Sequence, residues 1–564
     1  MQDKPETSTP RTLRLNARDN IIVAVDPRQP GHAPMRRRNG HGAHPCADTR
    51  WRLQAIAKGQ PILKFGQIIG FASEDIAPGS HVHTHNCSFA EFERDYAFAQ
   101  DAREEPIARR PNGGPPSRAS AAATARPARA TTSASLTSVN CSASVARFMA
   151  EAVSRSGILA AVPQRRRRRL VRARHGLRPR RPRARATMSL ERTQWGYAGH
   201  PNLAAALVVG LGCEVFQIAR LKSKLRPGRG RQLPHHDHPG HRRHQEDHRG
   251  RRRPHQGDAA ARQCRAPPRP MPASELTLAL QCGGSDGYSG ITANPGARRR
   301  RRLCWCATAA PRCSPETPRD LWRRAPADAA RRATARSARS WSTSSAGGRP
   351  TAPRTTARWT TTRAPATRPG GLTTILEKSL GAAAKGGTTT LNEVYRYAEP
   401  VTAKGFVYMD TPGYDPVAAT GQVAGGCNVL CFTTGRGSAY GCKPTPSIKL
   451  ATNHDIYRRM LDDMDINCGD ILDGVSIEAK GQEIFDAILR VASGEKTKSE
   501  LLGLRRQRIR TLANWRHHVR RRGSAWALPS ALLAGDARFD GRPNERGDVR
   551  PAEGLAPGGS RSAK

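Results

Sequence analysis

Lysine is nearly absent from this sequence. Of its 94 basic side chains only 14 are lysine, and none falls between 65 and 221 or between 225 and 377. Acidic residues are scarce as well, 46 in all, which leaves a formal net charge of +48. Aromatic residues make up only 5%. Taken at face value, the charge points to a polyanion as partner. Its make-up argues otherwise, because nucleic-acid surfaces mix lysine with arginine and interleave aromatic side chains for stacking. No run of 18 apolar residues exists, so no membrane span is expected. The opening Met1-Gln2-Asp3-Lys4 has no apolar signal core. Thirteen cysteines lack paired zinc-type spacing, and the one Cys-x-Cys, Cys304 and Cys306, lies in an arginine-rich stretch. A reduced, cytoplasmic protein with free or metal-bound thiols is the default expectation.

The charge is distributed unevenly. Between Gly371 and Gly503 there are 13 basic and 16 acidic side chains, whereas Val162 to Thr187 has no acidic residue and Arg165 to Arg169 is an unbroken run. Six segments (31–50, 102–130, 163–187, 225–270, 297–369 and 504–564) consist mainly of Arg, Ala, Pro, Gly, Thr and His. With few aliphatics and little periodicity, they bury too little apolar surface to offset chain entropy. One reading is disordered linkers. The sharper one is frame-shifted translation of GC-rich coding DNA, whose wrong frames yield Arg, Ala, Pro and Gly and almost no Lys. Permissible codons for Arg505 to His518, read one base later, encode an ordinary folded-protein ending.

The remaining segments look like folded protein. Thr12 to Val25 alternates like strands, and Leu53 to Gln100 has strand-like runs with Gly turns. Ser138 to Val162 predicts an amphipathic helix carrying Val145, Phe148, Met149 and Val153 at helical spacing. Leu203 to Leu211 suits a buried element. Ala273 to Pro295 is a strand followed by a Gly/Ser/Asp loop. Strands are expected at Gly405 to Met409 and Asn428 to Thr433, and a helix at Ile484 to Ala492.

Three motifs carry chemistry. On a strand, alternate residues share a face, so His81, His83 and His85 could converge on one ion, for which imidazole suits iron, zinc or manganese. The plain alternative is a solvated His cluster after a turn. In Gln281-Cys282-Gly283-Gly284-Ser285-Asp286-Gly287, glycine density after a strand lets backbone N–H groups approach a carboxylate. Cys282 and Asp286 are candidate ligands or acid/base groups there, and Ser285 a candidate substrate contact; a plain Gly-rich turn is the alternative. In Gly435-Arg436-Gly437, Arg436 could hold a carboxylate bidentately between two glycines, against a surface Arg in a turn. Asn140-Cys141-Ser142, Gly199-His200-Pro201-Asn202, Gly212-Cys213-Glu214 and Asp410-Thr411-Pro412 read as caps or turns.

Together these residues resemble the altronate/galactarate dehydratase family. The resemblance runs in family order through Lys64 to Gly70, His81 to Asn86, Val139 to Ala143, Gln281 to Pro295, Gly371 to Lys378, Met409 to Pro412, Thr420 to Ala424, Phe432 to Ser438, Met464 to Gly469 and Ser499 to Gly503. Tyr414 to Val417 and Lys449 to Ala451 look closer to altronate than to galactarate dehydratases. What the resemblance implies is an α/β fold, with a small β-rich SAF-like N-terminal domain and a larger α/β catalytic region interrupted by the Arg/Ala/Pro-rich segments. The implied layout is 1–100 for the SAF-like domain, 101–137 a linker and 138–295 the first catalytic part, with 163–187 and 225–270 aberrant. Then come 296–369 as an aberrant stretch, 370–503 as the second catalytic part and 504–564 as an aberrant tail.

The implied activity is a metal-assisted hydro-lyase converting D-altronate to 2-dehydro-3-deoxy-D-gluconate and water, with iron(II), or else manganese(II), as cofactor. Galactarate or another hydroxy acid is the alternative substrate, and an Arg-rich nucleic-acid-binding protein the alternative of another class. The roles implied are His81, His83, His85 and Cys282 for metal, His83, His85 and Asp286 for proton transfer, and Arg436, Ser285, Gly435 and Gly437 for substrate. The family's Gly-Cys-Gly motif near 165–187 and its Asn- and Gly-rich stretch before Gly370 are missing, so the 564-residue chain is expected to be inactive or poorly folded.

Overall fold

A computed structural model describes residues 11–25, 50–52, 54–90, 92, 116–117, 120–121, 127–128, 132–137, 142–155, 170–172, 184–210, 218, 235–237, 271–297, 304–307, 370–387, 390–411 and 415–503. The alternating pattern at the N-terminus builds short antiparallel strands. These are β1 (Thr12–Leu13), β2 (Ile21–Ala24), β3 (Arg50–Arg52), β4 (Pro61–Lys64), β5 (Gln67–Ala72), β6 (His81–Val82) and β7 (Cys87–Ser88). They form two sheets, ordered β1-β2-β3-β6 and β4-β5-β7. Ile21, Ile56, Ile62, Ile69, Ile76 and Val82 fill the space between them. Along β4 half-buried and buried residues alternate, as in a half-buried antiparallel sheet.

The second region holds β8 (Thr132–Thr137), α1 (Ala143–Arg155), β9 (Leu170–Arg172), α2 (Ala184–Ala198), β10 (Leu203–Gly210) and β11 (His235–Asp237). Its sheet is parallel, in the order β9-β8-β10-β11. Residues 132–137 therefore belong to a folded sheet and not to a linker ending at 137, and Ala134 and Leu136 are fully buried in it. The apolar run expected to be buried is β10. In α1, Val145 and Met149 are buried as their spacing predicts, but Phe148 is 39% exposed. Its ring instead carries the Arg147 guanidinium 4.8 Å from its centroid.

The third region continues with β12 (Thr277–Cys282), β13 (Cys304–Ala307), α3 (Ile375–Ala383), β14 (Leu391–Tyr395), β15 (Phe406–Met409), α4 (Asp415–Ala424), β16 (Val429–Thr434), β17 (Ser447–Ala451), α5 (His454–Arg459), β18 (Ile466–Asn467), α6 (Ile477–Ser493) and α7 (Lys498–Leu501). Its seven strands, ordered β14-β15-β13-β12-β16-β17-β18, are all parallel. Every residue of β12, β16 and β17 is buried, because helices cover both faces of a parallel sheet. Leu278, Leu280, Val429, Cys431 and Ile448 face Ile484, Phe485, Ile488 and Val491 of α6. Ala279, Leu430 and Phe432 face α4 and, beyond it, Leu190 and Tyr197 of α2. Helix α6 begins earlier than apolar periodicity alone predicts, because the Ser476 hydroxyl caps it by accepting from Ala479 N–H at 3.1 Å.

Three short strands, β9, β11 and β13, fall inside stretches whose composition argues against folding. A strand of three or four residues is held by backbone hydrogen bonds to a neighbour already in place, so it needs little from its own side chains.

The second and third regions meet along a buried polar seam. His200 Nε2 donates to the Cys427 carbonyl at 2.9 Å while its Nδ1 accepts from Asn202 N–H at 3.1 Å, which fixes a neutral ring. Asn202 Nδ2 donates to the Asn428 carbonyl at 2.8 Å, and Asn428 Oδ1 accepts from Thr277 N–H at 3.0 Å. The Gly199-His200-Pro201-Asn202 segment, which reads as a turn, is the joint between two sheets.

Candidate active site

From β12 the chain passes to β13, β14 and β15 on one side and then crosses to β16, β17 and β18 on the other, so the direction of winding reverses between the neighbours β12 and β16. In open parallel sheets that reversal leaves a crevice beyond the carboxyl ends of the two strands. Two of the motifs singled out in the sequence emerge there and lock together. Gly283 N–H donates to Thr433 O at 3.0 Å, and Gly435 and Arg436 N–H both donate to Gly284 O, at 3.1 and 3.0 Å. Arg436 Nε donates to Ser285 O at 3.2 Å, so this half-buried guanidinium braces the first loop.

Asp286, 3% exposed, accepts from Ser289 Oγ at 2.6 Å, Thr452 Oγ1 at 2.7 Å and Asn453 Nδ2 at 2.8 Å. The Asn453 amide has a defined orientation, because its Oδ1 accepts from Ile456 N–H at 2.9 Å as the cap of α5. All three donors are neutral, so Asp286 is positioned by hydrogen bonds and not by a cation. Its carboxyl also packs against Gly435, where an added Cβ would stand 1.9 Å from Asp286 Cγ. Gly435→Ala is therefore expected to push the Asp286 carboxylate out of its cradle. The expected cost is about 1–3 kcal/mol of stability, from overpacking and lost hydrogen bonds. Thermal melting measures this, and an unchanged midpoint would contradict the packing described.

The opposite wall comes from the N-terminal domain. Lys64, at the end of β4, places Nζ 2.9 Å from Glu377 Oε1 and 3.3 Å from the Gly287 carbonyl. Both side chains of the ion pair are 1% exposed. Glu377 Oε2 accepts from Thr373 N–H at 2.9 Å and Thr373 Oγ1 at 2.8 Å. Thr374 caps α3, and its hydroxyl donates to the Ile69 carbonyl of β5, a second tie between the regions. The cleft between these walls is lined by Lys64, Phe65, Ser285, Asp286, Glu377 and Lys378, among others. Two ammonium groups, two carboxylates and a serine hydroxyl surround this small space.

The His cluster differs from its expectation. The strand ends at Val82, and His83 to Asn86 form a turn in which Cys87 N–H donates to His83 O at 2.8 Å. The Asn86 side chain sets this turn, accepting from His83 N–H at 2.9 Å and donating to His81 O at 2.9 Å. The turn, not the pleat, gathers the rings: His81 lies 5.5 Å, centroid to centroid, from both His83 and His85, and is stacked on His83. Stacked rings do not aim their nitrogens at one point. Among the described residues no group of three His, Cys, Asp or Glu side chains is placed to hold a metal ion. The residues as arranged thus do not fit the four-ligand set of His81, His83, His85 and Cys282. The histidines are not among the residues lining the cleft. Cys282 lies elsewhere, its sulfur accepting from Lys385 Nζ at 3.1 Å.

Lys64 and Glu377 escaped residue-by-residue reading because 313 positions separate them and no local spacing connects them. The one available signal was rarity, since Lys64 is one of so few lysines and sits in a coherent segment. The cysteine and glycine segments at 139–141 and 211–213 follow β8 and β10 in the chain but lie outside the described residues.

Asp410 follows β15 at the same carboxyl edge. It is half-buried, its side chain has no hydrogen-bond partner among the described residues, and burial pushes its carboxyl up to about 6. A raised pKa means that the native state holds this proton more tightly than the unfolded chain does. Stability therefore falls as pH rises from the ordinary carboxylate range, about 4, through the folded value, and stays lower above it. Asp410→Asn is expected to melt higher than the parent at neutral pH and to match it below about pH 4. A pH series of melting curves checks this; a gap that does not change with pH would overturn it.

Family comparisons agree with this architecture along the chain. The altronate/galactarate dehydratase SAF domain matches residues 10–90, the D-galactarate dehydratase/altronate hydrolase second domain 134–248, and the D-galactarate/altronate dehydratase C-terminal domain 273–515. The chain belongs to the altronate/galactarate dehydratase family. Within this family, galactarate dehydratase (L-threo-forming) of Escherichia coli K12 is 38% identical over 243 residues, 42% of this chain and 45% of the relative. Altronate dehydratase of the same organism is 29% identical over 475 residues, 80% of this chain and 88% of the relative. That of Bacillus subtilis 168 is 28% identical over 313 residues, 53% and 59% of the two chains. The first match thus spans less than half of its relative. These three relatives are named as dehydratases, and the SAF assignment and α/β class expected from the sequence hold. The matches give no support to a nucleic-acid-binding protein. Among the described residues no helix is long and apolar enough to cross a membrane.

Proposed function

We propose that this dehydratase-family chain is a sugar-acid hydro-lyase acting on D-altronate to give 2-dehydro-3-deoxy-D-gluconate, with galactarate as the second candidate. Altronate is favoured because the match to an altronate dehydratase runs over most of both chains. The observation that carries the reaction type is the buried Lys64–Glu377 pair facing the Ser285-Asp286 loop across the crevice.

Elimination requires removal of the weakly acidic C2 proton, which shifts charge onto the substrate carboxylate, and departure of the C3 hydroxyl with a proton. Lys64 and Lys378 supply positive charge where the enediolate-like charge develops. Glu377 is the proposed proton acceptor and Lys64 its partner. Arg436, flanked by Gly435 and Gly437, and Ser285 are proposed to orient the carboxylate, and Asp286 the hydroxyls. Iron(II) or manganese(II) is the proposed cofactor, and for His83 and His85 to hold it or move a proton their rings would have to leave the arrangement described above. Metal analysis of the purified protein and of a His83→Ala variant tests that separately, and equal metal content in the two would sink it.

The assay is colorimetric detection of the 2-keto-3-deoxy acid formed from D-altronate or galactarate. The chain as written is expected to turn over altronate at least about 100-fold more slowly than a version with the reading frame restored across 163–187 and 297–369, since whole groups of the family's site are missing. If the restored chain dehydrates neither sugar acid, the hydro-lyase reading fails. If the chain as written matches it, the frame-shift reading fails.

A further inference from the structure

Behind the cleft lies a nucleophile paired with an amine. Cys282 ends β12, and Lys385 sits in the single turn Ala384–Gly386 that follows α3. The two are 3% and 1% exposed, and Lys385 Nζ is 3.1 Å from the Cys282 sulfur. Among the described residues Lys385 has no other hydrogen-bond or ion-pair partner, so a buried amine rests on a thiol alone. Ser285 and Ala382, each three residues away along its own segment, line the cleft, so the cleft is the side from which a small oxidant would approach the sulfur. Cys431 and Cys468 are equally buried, and burial pushes their thiols up, away from the reactive thiolate form.

We propose that Cys282 and Lys385 form an oxidative cross-linking site, at which hydrogen peroxide converts the pair to a sulfenamide. Peroxide transfers one oxygen to the sulfur, giving a sulfenic acid and one water as the peroxide is reduced. The neutral amine's lone pair then forms the S–N bond, and hydroxide leaves the sulfur with a proton from the nitrogen as a second water. Thiol, amine and one peroxide thus yield sulfenamide and two waters. Two equivalents of an external thiol return the pair and form one disulfide. The link would tie the end of the central strand to the segment after α3, immediately behind the crevice. It does not depend on the hydro-lyase reading, because its readout is mass and not turnover.

The experiment treats the full chain with hydrogen peroxide, blocks the remaining thiols, digests without reduction and maps peptides by mass spectrometry. The expected product is the Cys282 peptide joined to the Lys385 peptide, lighter by two hydrogens than their sum. It should disappear with dithiothreitol, in protein oxidised while unfolded in urea, and in Lys385→Arg. Cys431 and Cys468 should form no such link. Native protein in which Cys282 is oxidised or blocked without the joined peptide would overturn the proposal, as would equal cross-linking in urea.

Discussion

Gly196→Ala is expected to be the most damaging small substitution in the described structure. A Cβ at this position of α2 would stand 2.0 Å from the Ala424 carbonyl oxygen and 2.7 Å from Ala424 Cα, all backbone of α4. Backbone cannot rotate away as a side chain can, so the two helices must separate. Between them are Leu190, Tyr197, Val417 and Val423, packed with the cores of both sheets. The expected cost is about 3 kcal/mol or more, at the upper end of overpacking effects. For regions of this size that lowers the melting midpoint by roughly 6–12 °C. Gly199 supplies an internal control in the same segment. A Cβ there would meet only Trp195 O, at 3.4 Å, so Gly199→Ala should melt close to the parent. Equal midpoints for the two variants would refute the close helix contact.

The second large effect concerns Lys64→Met. Removing the ammonium leaves the Glu377 carboxylate buried without its cation, and breaking a buried pair from one side costs about 3–5 kcal/mol. If the pair also moves the proton, kcat falls by about 100-fold or more. A structural and a catalytic role separate in the double variant Lys64→Met/Glu377→Leu. Replacing both charges with apolar groups of similar volume should return most of the stability, since the desolvation cost of the pair disappears too. Activity should not return with it. Calorimetry and the keto-acid assay, run on the frame-restored chain, read the two quantities independently. Recovery of activity alongside stability would show that the pair only docks the N-terminal domain.

Much of the fold was legible in the sequence for reasons that are local. The alternation from Thr12 to Val25 fixes β1 and β2, and the apolar runs at Leu203 and Val429 fix buried parallel strands, because period and length are properties of consecutive residues. The glycine-rich loops after Cys282 and Thr434 were also visible, since only such sequence lets backbone approach backbone as closely as Gly284 and Gly435 do. The His81 to His85 cluster was visible as composition but misjudged as a pleat. What decided its shape was the Asn86 side chain, whose two hydrogen bonds close a turn that periodicity does not report.

The sequence by itself thus determined the α/β class, the SAF-like N-terminal domain, the family and the two loops of the crevice. Only the tertiary structure decided that those loops meet beyond the reversal of strand order, that Asp286 is held by neutral donors, and that Lys64 closes on Glu377. It also decided that Cys282 pairs with Lys385 and not with the histidines. The physical reason is shared by all of these. Burial and strand order set them, and they bring together side chains up to 313 positions apart whose partners no local spacing records.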